Sequence, residues 1–240
     1  MISVQDLSKS YGTTLAVDHL SFDVVPGEIL GLIGPNGAGK TSTLRCIAGI
    51  HRPSSGTVTL AGSDIVREPV AAKRVLAFVA DEPHLFEHLT VIEHLRLIAR
   101  IYGVADVESR ARALLEQLEL ADRDKAIPSE LSRGMKQKVA LACAFMHEPR
   151  ALLLDEPLTG LDPLGIHRMK ETIVAKARQG VAVIISSHLL HLVEEICTRV
   201  LIIHRGVKAA DGTLAELASL ARVPGSSLEQ IFLDVTGGHV

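Results

Sequence analysis

The apolar run Ile29–Ile33 leads directly into Gly34-Pro35-Asn36-Gly37-Ala38-Gly39-Lys40-Thr41, and no other stretch of the chain restricts its fold as tightly. The segment fits the pattern G-x-x-x-x-G-K-[ST], with a strand expected before it and a helix, Thr41–Gly49, after it. Glycines let the backbone curl so that successive N–H groups converge on phosphate oxygens. The helix N-terminus adds the positive end of its dipole. Lys40 is placed to bridge terminal phosphates, and the Thr41 hydroxyl suits Mg²⁺. Gly34, Pro35, Asn36, Gly37, Ala38, Gly39, Lys40, Thr41 and Ser42 together form a candidate nucleotide-phosphate-binding segment.

A second run, Ala151-Leu152-Leu153-Leu154, ends in Asp155-Glu156. A buried strand has no reason to finish in adjacent carboxylates unless a cation or a reaction waits there. Asp155 fits the acid that holds Mg²⁺ through water, and Glu156 fits the general base that polarises an attacking water. A third run, Val181–Ser186, is followed by His188. The carboxyl ends of strands are where ligands bind in open α/β sheets, so His188 is a candidate to orient water or sense the γ-phosphate. His191 has no such position. His84, His88 and His94 lack the spacing of a zinc site with a fourth ligand.

The rest of the chain supplies the scaffold. Strands are expected at Ile2–Leu7, Leu15–Val24, Glu28–Ile33, Thr57–Leu60 and Leu76–Val79, with turns at Tyr11-Gly12 and Pro26-Gly27. Apolar spacings of three and four predict helices over Val91–Tyr102 and Val107–Leu118, and a third runs from about Arg133 to His147. Beyond them, helices at Leu164–Arg178 and Leu189–Thr198 alternate with the strands Val181–Ser186 and Val200–Ile203. Apolar strands alternating with helices imply a parallel sheet covered on both faces. The expected fold class is α/β: a phosphate-loop NTPase core with a mainly parallel sheet, an N-terminal antiparallel β lobe and an α-helical insertion near residues 84–147.

Composition excludes several functions. Of 240 residues, 25 are basic and 28 acidic, a net charge of −3, which leaves no clustered basic excess for nucleic acid. Aromatic residues are 3% and tryptophan is missing, so base-stacking platforms are not expected. No apolar run approaches the roughly 18–20 residues of a membrane span, and the first residues show no secretion signal. Cys46, Cys143 and Cys197 are scattered and odd in number, which points to reduced thiols. GTPases read guanine with Asn-Lys-x-Asp, and Asn36 is the only asparagine in the chain. No arginine-rich lid of a small-molecule kinase is apparent.

The segment Leu131-Ser132-Arg133-Gly134-Met135 opens the third helix, and with it the chain resembles the nucleotide-binding domains of ABC transporters over about residues 1–220. Gly34–Thr41 matches the Walker A loop, Leu131–Met135 the signature usually written LSGGQ, and Asp155 and Glu156 the Walker B acid and catalytic glutamate. Tyr11 matches the aromatic that stacks on adenine, Leu161-Asp162 the D-loop, and His188 the switch histidine. Two departures stand out. Asp81 occupies the place of the Q-loop glutamine, where it offers a carboxylate to Mg²⁺ or to the water, and Met135 ends the signature. Both variants, and the tail Ser227–Leu233, look like those of ABC-2-type export subunits.

The resemblance implies a subunit that binds and hydrolyses MgATP in a head-to-tail dimer, with Ser132 and Gly134 meeting the γ-phosphate of the opposite copy. It implies as partners a second nucleotide-binding subunit, homo- or heteromeric, and a separate integral membrane permease. It further implies a peripheral position on the cytoplasmic face of the plasma (inner) membrane. The segment Leu85-Phe86-Glu87-His88-Leu89, after the variant Q-loop, is expected to help form the groove for a cytoplasmic permease helix, with Phe86 and Leu89 the residues that test it. The expected domain is 1–220, followed by a short helical tail at 221–240. The alternative is a soluble ABC ATPase uncoupled from transport; translation types carry two cassettes and repair types a long coiled coil, neither of which this chain shows. A non-catalytic member is opposed by Glu156 and His188.

Overall fold

A computed structural model describes residues 1–220 and 227–237. The chain opens with β1 (Ile2–Tyr11) and β2 (Thr14–Val24), then β3 (Ile29–Ile33) and α1 (Lys40–Ile47). Next come β4 (Ser55–Leu60), β5 (Ser63–Asp64), α2 (Pro69–Arg74) and β6 (Leu76–Val79). The helical insertion holds α3 (Val91–Tyr102), α4 (Val107–Gln117), two 3-10 turns at Ala121–Arg123 and Pro128–Glu130, and α5 (Arg133–Phe145). The remainder is β7 (Ala151–Asp155), α6 (Pro163–Arg178), β8 (Ala182–Ser186), α7 (Leu190–Ile196), β9 (Arg199–His204), β10 (Val207–Gly212), α8 (Leu214–Leu220) and α9 (Leu228–Thr236).

Two sheets result. The lobe is antiparallel in the order β2-β1-β4-β5, and the core sheet runs β10-β9-β3-β8-β7-β6. Every neighbouring pair in the core sheet is parallel except β10 with β9. Strands β3, β7 and β8 are buried along their whole length. Their side chains alternate between two hydrophobic clusters: Ile29, Ile33, Leu152, Leu154, Val183 and Ile185 face the helical insertion and α6. Leu30, Leu32, Ala151, Leu153, Ala182 and Ile184 face α1 and the antiparallel lobe. An all-apolar strand is the expected result of burying both faces of a parallel sheet. The α/β class therefore holds, as do the antiparallel lobe and the inserted helices.

Helix α3 has the bounds that its sequence predicts because Thr90 and Glu93 cap it reciprocally. The Thr90 N–H donates to Glu93 Oε2 at 2.7 Å, the Glu93 N–H donates to Thr90 Oγ1 at 3.4 Å, and Gly103 ends the helix in the left-handed region. Strand β10 and helix α8 go beyond the expected elements; β10 is a largely exposed edge strand held by Arg199. The Arg199 guanidinium donates to Asp211 Oδ1 at 2.7 Å and Oδ2 at 3.0 Å, and to the Asp23 carbonyl at 2.9 Å. The expected boundary at residue 220 adjoins residues 221–226, which lie outside the described residues, as do 238–240. On its far side Leu228 and Ile231 of α9 join the same cluster as β3 and β7.

Candidate active site

In the core sheet β3, β8, β7 and β6 lie side by side and parallel, so their carboxyl ends open at one edge. The loops that leave those ends carry Gly34–Thr41, His188, Asp155-Glu156 and Asp81 in turn. Residues far apart in the chain thus meet, as the strand-end argument requires. A cavity of about 280 Å³ is lined by Ala16, Asn36–Ser42, Asp81 and Glu156.

The loop between β3 and α1 turns on Gly39, whose φ of +108° is reserved for glycine and whose Cβ would stand 2.4 Å from the Ala16 carbonyl oxygen. Lys40, buried at 7% exposure, folds back along the loop and donates from Nζ to the carbonyls of Gly34 at 2.7 Å and Pro35 at 3.2 Å. Burial lowers its pKa, while Glu156 and Asp155 oppose that shift. The result is an ammonium held by two backbone oxygens and facing two carboxylates, ready for a polyanion.

Asp155 is the last residue of β7, 4% exposed. Its Oδ1 accepts from Ser186 Oγ at 2.6 Å and from Thr41 Oγ1 at 3.4 Å. Thr41 and Asp155 thus form an oxygen-only pair at the mouth of the phosphate loop. Mg²⁺ is commonly held by one or two such protein oxygens plus phosphate oxygens and water, and these residues fit it. Among the described residues, no group of three His, Cys, Asp or Glu side chains is arranged to hold a metal unaided.

Glu156 follows with φ +49°, a left-handed conformation rare outside glycine and typical of strained functional positions. Its backbone N–H donates to the Ser186 carbonyl and to Ser186 Oγ, both at 3.1 Å. Its side chain is largely buried while that of His188 is half-exposed, and Glu156 Oε2 accepts from His188 Nδ1 at 2.8 Å. Burial raises the Glu156 pKa, with His188 and then Lys40 pulling against it. A base with a raised pKa binds a proton more readily, which is what activating a water demands.

Other expected site residues lie elsewhere. Ser132 is the exposed N-cap of α5, and its Oγ accepts from the Met135 N–H at 3.2 Å. Gly134 sits against Leu161 and Gly160. Neither lines the cavity. Tyr11 also stands apart from it, 41% exposed, with its hydroxyl 2.6 Å from His51 Nδ1. Asp81 lines the cavity, yet its Oδ1 accepts from Arg133 Nη2 at 2.8 Å, so the carboxylate expected to face Mg²⁺ already has a cationic partner. Sequence reasoning missed Ser186 and Arg133. For Ser186 a signal existed: a hydroxyl residue closing an apolar strand, beside the already chosen His188.

The family model described as ABC transporter matches residues 17–159, more than half of the chain. The chain belongs to the ABC transporter family. It is an ATP-binding ABC cassette, and its enzymatic class is ATPase. Among similar proteins, the ABC-type transporter ATP-binding protein EcsA of Bacillus subtilis (strain 168) is 37% identical, over 100% of this chain and 99% of its own length. Nod factor export ATP-binding protein I of Paraburkholderia xenovorans (strain LB400) is 39% identical, over 96% of this chain and 76% of its own. A solved ATP-binding subunit of an ABC transporter superposes with a TM-score of 0.94 at 36% identity, covering 98% of this cassette and 99% of that chain. A dimeric bacterial ABC transporter cassette shares the fold, with a TM-score of 0.83 at 23% identity over 89% and 99% of the two chains.

Proposed function

We propose that this cassette is the ATPase subunit of an exporter, hydrolysing MgATP in a head-to-tail dimer to drive a separate membrane permease. The observation that carries the dimer is the split of the site. Lys40, Thr41, Asp155, Glu156 and His188 converge in one chain, while Ser132 opens α5 on an exposed surface away from the cavity. An exposed helix start suits an anion, and a second copy is the source of that anion in this reading. The family includes a dimeric cassette of this fold. Export rests on the relatives named for it and on the Asp81 and Met135 variants.

Within one half-site Lys40 exchanges its two carbonyl contacts for terminal phosphate oxygens, and the backbone of 36–41 surrounds the chain of phosphates. Thr41 and Asp155 would hold Mg²⁺, which when bound would neutralise charge on the phosphates. Glu156 takes a proton from the attacking water. His188 fixes one of its carboxylate oxygens, leaving Oε1 for that water. Tyr11 is the proposed adenine contact, and Ser132 and Gly134 of the second copy close over the γ-phosphate. Loss of that phosphate removes the bridge, so the dimer loosens, a shift set by differential affinity.

Among the described residues, no helix is long and apolar enough to cross a membrane. In the proposed reading the permease holds the cassette at the cytoplasmic face of the plasma (inner) membrane. A candidate seat exists: an apolar groove of about 390 Å³ lined by Ile50, Phe78, Leu85, Phe86, Leu97 and Ile98, among others. His94, 4% exposed, fixes its rim; its Nε2 accepts from the Phe86 N–H at 2.9 Å and its Nδ1 donates to the Thr90 carbonyl at 2.7 Å. Phe86 itself is 60% exposed.

The test is Glu156→Gln. It keeps the shape of the site and removes the base, so turnover drops about 10²–10⁴-fold and light scattering shows a dimer with ATP and Mg²⁺ and a monomer without. A monomer at saturating MgATP would refute the split site.

A further inference from the structure

Asp81 touches a third departure from the family pattern, Arg133. Asp81 stands where the Q-loop has glutamine, and Arg133 stands where the motif LSGGQ has its first glycine. They are 52 residues apart in sequence, and Arg133 Nη2 donates to Asp81 Oδ1 at 2.8 Å. Among the described residues this is the one ion pair that joins the cavity wall to the start of α5.

Local physics disfavours Arg133 by itself. It occupies the first turn of α5, where the helix dipole favours anions, and that turn contains no acidic residue. Asp81 supplies the anion from another loop. The Arg133 side chain reaches it by crossing Gly160: a Cβ on Gly160 would lie 3.1 Å from Arg133 Cδ and 3.3 Å from Nε. Gly134, the next residue, would meet Leu161 Cδ2 at 3.3 Å. The start of α5 is thus fastened at two points, by packing on the 160–161 turn and by charge on Asp81. Asp81 alone of these belongs to the cavity that holds Lys40 and Glu156.

We propose that the Asp81–Arg133 ion pair couples the two halves of the machine, with Arg133 a positioning residue that aligns the Ser132 turn according to what occupies the phosphate cavity. A cation entering the cavity competes with Arg133 for Asp81. That alters the pull on α5, so the presentation of Ser132 to a second copy follows the occupancy of the first. The inference deepens the proposed dimer reading and rests on it.

Its test is a double-mutant cycle in the Glu156→Gln background: Asp81→Asn, Arg133→Met, both together, and the charge swap Asp81→Arg/Arg133→Asp. Sedimentation measures the ATP concentration for half-maximal dimer, and hydrogen exchange follows amides 132–136 in the nucleotide-free monomer. Each single variant is expected to raise the required ATP about two- to fivefold, the range of a half-exposed ion pair, and to speed exchange at 132–136. The double variant is no worse than either single one. The swap recovers part of the loss, and 1 M NaCl erases the wild-type advantage. Effects that multiply in the double variant, or single variants with wild-type exchange and dimerisation, overturn the coupling. Two controls separate this from the underlying reading. If the parent Glu156→Gln chain never dimerises, the dimer fails while exchange still tests the link; if Lys40→Ala binds ATP with undiminished affinity, the phosphate cavity itself is misassigned.

Discussion

Ser186→Ala removes one oxygen atom and tests how the site is held together. Ser186 is fully buried, and its Oγ donates to Asp155 Oδ1 at 2.6 Å. Without it Asp155 retains, among the described residues, only the 3.4 Å side-chain contact from Thr41. A hydrogen bond to a charged group contributes about 1.5–3 kcal/mol. The second bond that Oγ accepts, from the Glu156 N–H, is partly replaced because that N–H also reaches the Ser186 carbonyl at 3.1 Å. The expected loss is about 2 kcal/mol, nearly all of it from Asp155. For a chain of this size that lowers Tm by about 4–8 °C.

Equilibrium urea denaturation should show the midpoint moving with an unchanged slope, since the fold remains the same. Ser187→Ala is the comparison. Its Oγ accepts only from the Leu189 N–H, at 3.0 Å, a neutral turn contact contributing about 1 kcal/mol or less. A Ser186→Ala midpoint equal to wild type, or a smaller loss than for Ser187→Ala, would show that Asp155 is not held from β8 and that the metal-side arrangement is wrong.

Burial raises the Glu156 pKa above its ordinary 4.5, and the base acts only when ionised, so kcat/KM should fall on the acid side at a pH above 4.5; an acid limb at or below that value contradicts the assignment. The same shift means that the folded chain disfavours the Glu156 charge. Glu156→Gln should therefore melt higher than wild type at neutral pH, with the gap closing as the pH falls through the raised pKa. Gly39→Ala forces φ +108° on a side chain and drives its Cβ to 2.4 Å from a carbonyl oxygen. It should lose roughly 1–3 kcal/mol from backbone strain before that clash is counted, and a wild-type melting curve would refute the loop geometry. Phe86→Asp should leave melting and basal ATPase unchanged, yet abolish co-purification with the membrane subunit; retained assembly sinks the groove.

Much of this molecule was readable because its signals are local. The phosphate loop, the apolar spacing of α3 and the all-apolar strands each fit in a window of a dozen residues or fewer. What stayed hidden depends on partners distant in sequence. Strand β10, Val-Lys-Ala-Ala-Asp-Gly, has no alternation to betray it. It is a strand because β9 pairs with it and because Arg199 ties Asp211 to Glu28 and Asp23. Arg133 was legible as part of Leu131–Met135, but its ion pair with Asp81, 52 residues away, was not. Tyr11 was legible as an aromatic but not as a residue whose hydroxyl meets His51.

The chemistry depends on register as much as on motif. In the parallel ladder Ser186 is the partner of Leu32 on one side and of Asp155 on the other. That single rung places the start of the phosphate loop, the Asp155 carboxylate and the Ser186 hydroxyl at one height. A slip of one residue in β8 would turn Ser186 toward the opposite face and bring Ile185 or Ser187 level with Asp155. The cores on the two faces resist it, because Val183 and Ile185 fill one while Ala182 and Ile184 fill the other. The apolar strands are therefore part of the catalytic apparatus: their alternation fixes the register, and the register sets a hydroxyl beside Asp155 and a histidine beside Glu156.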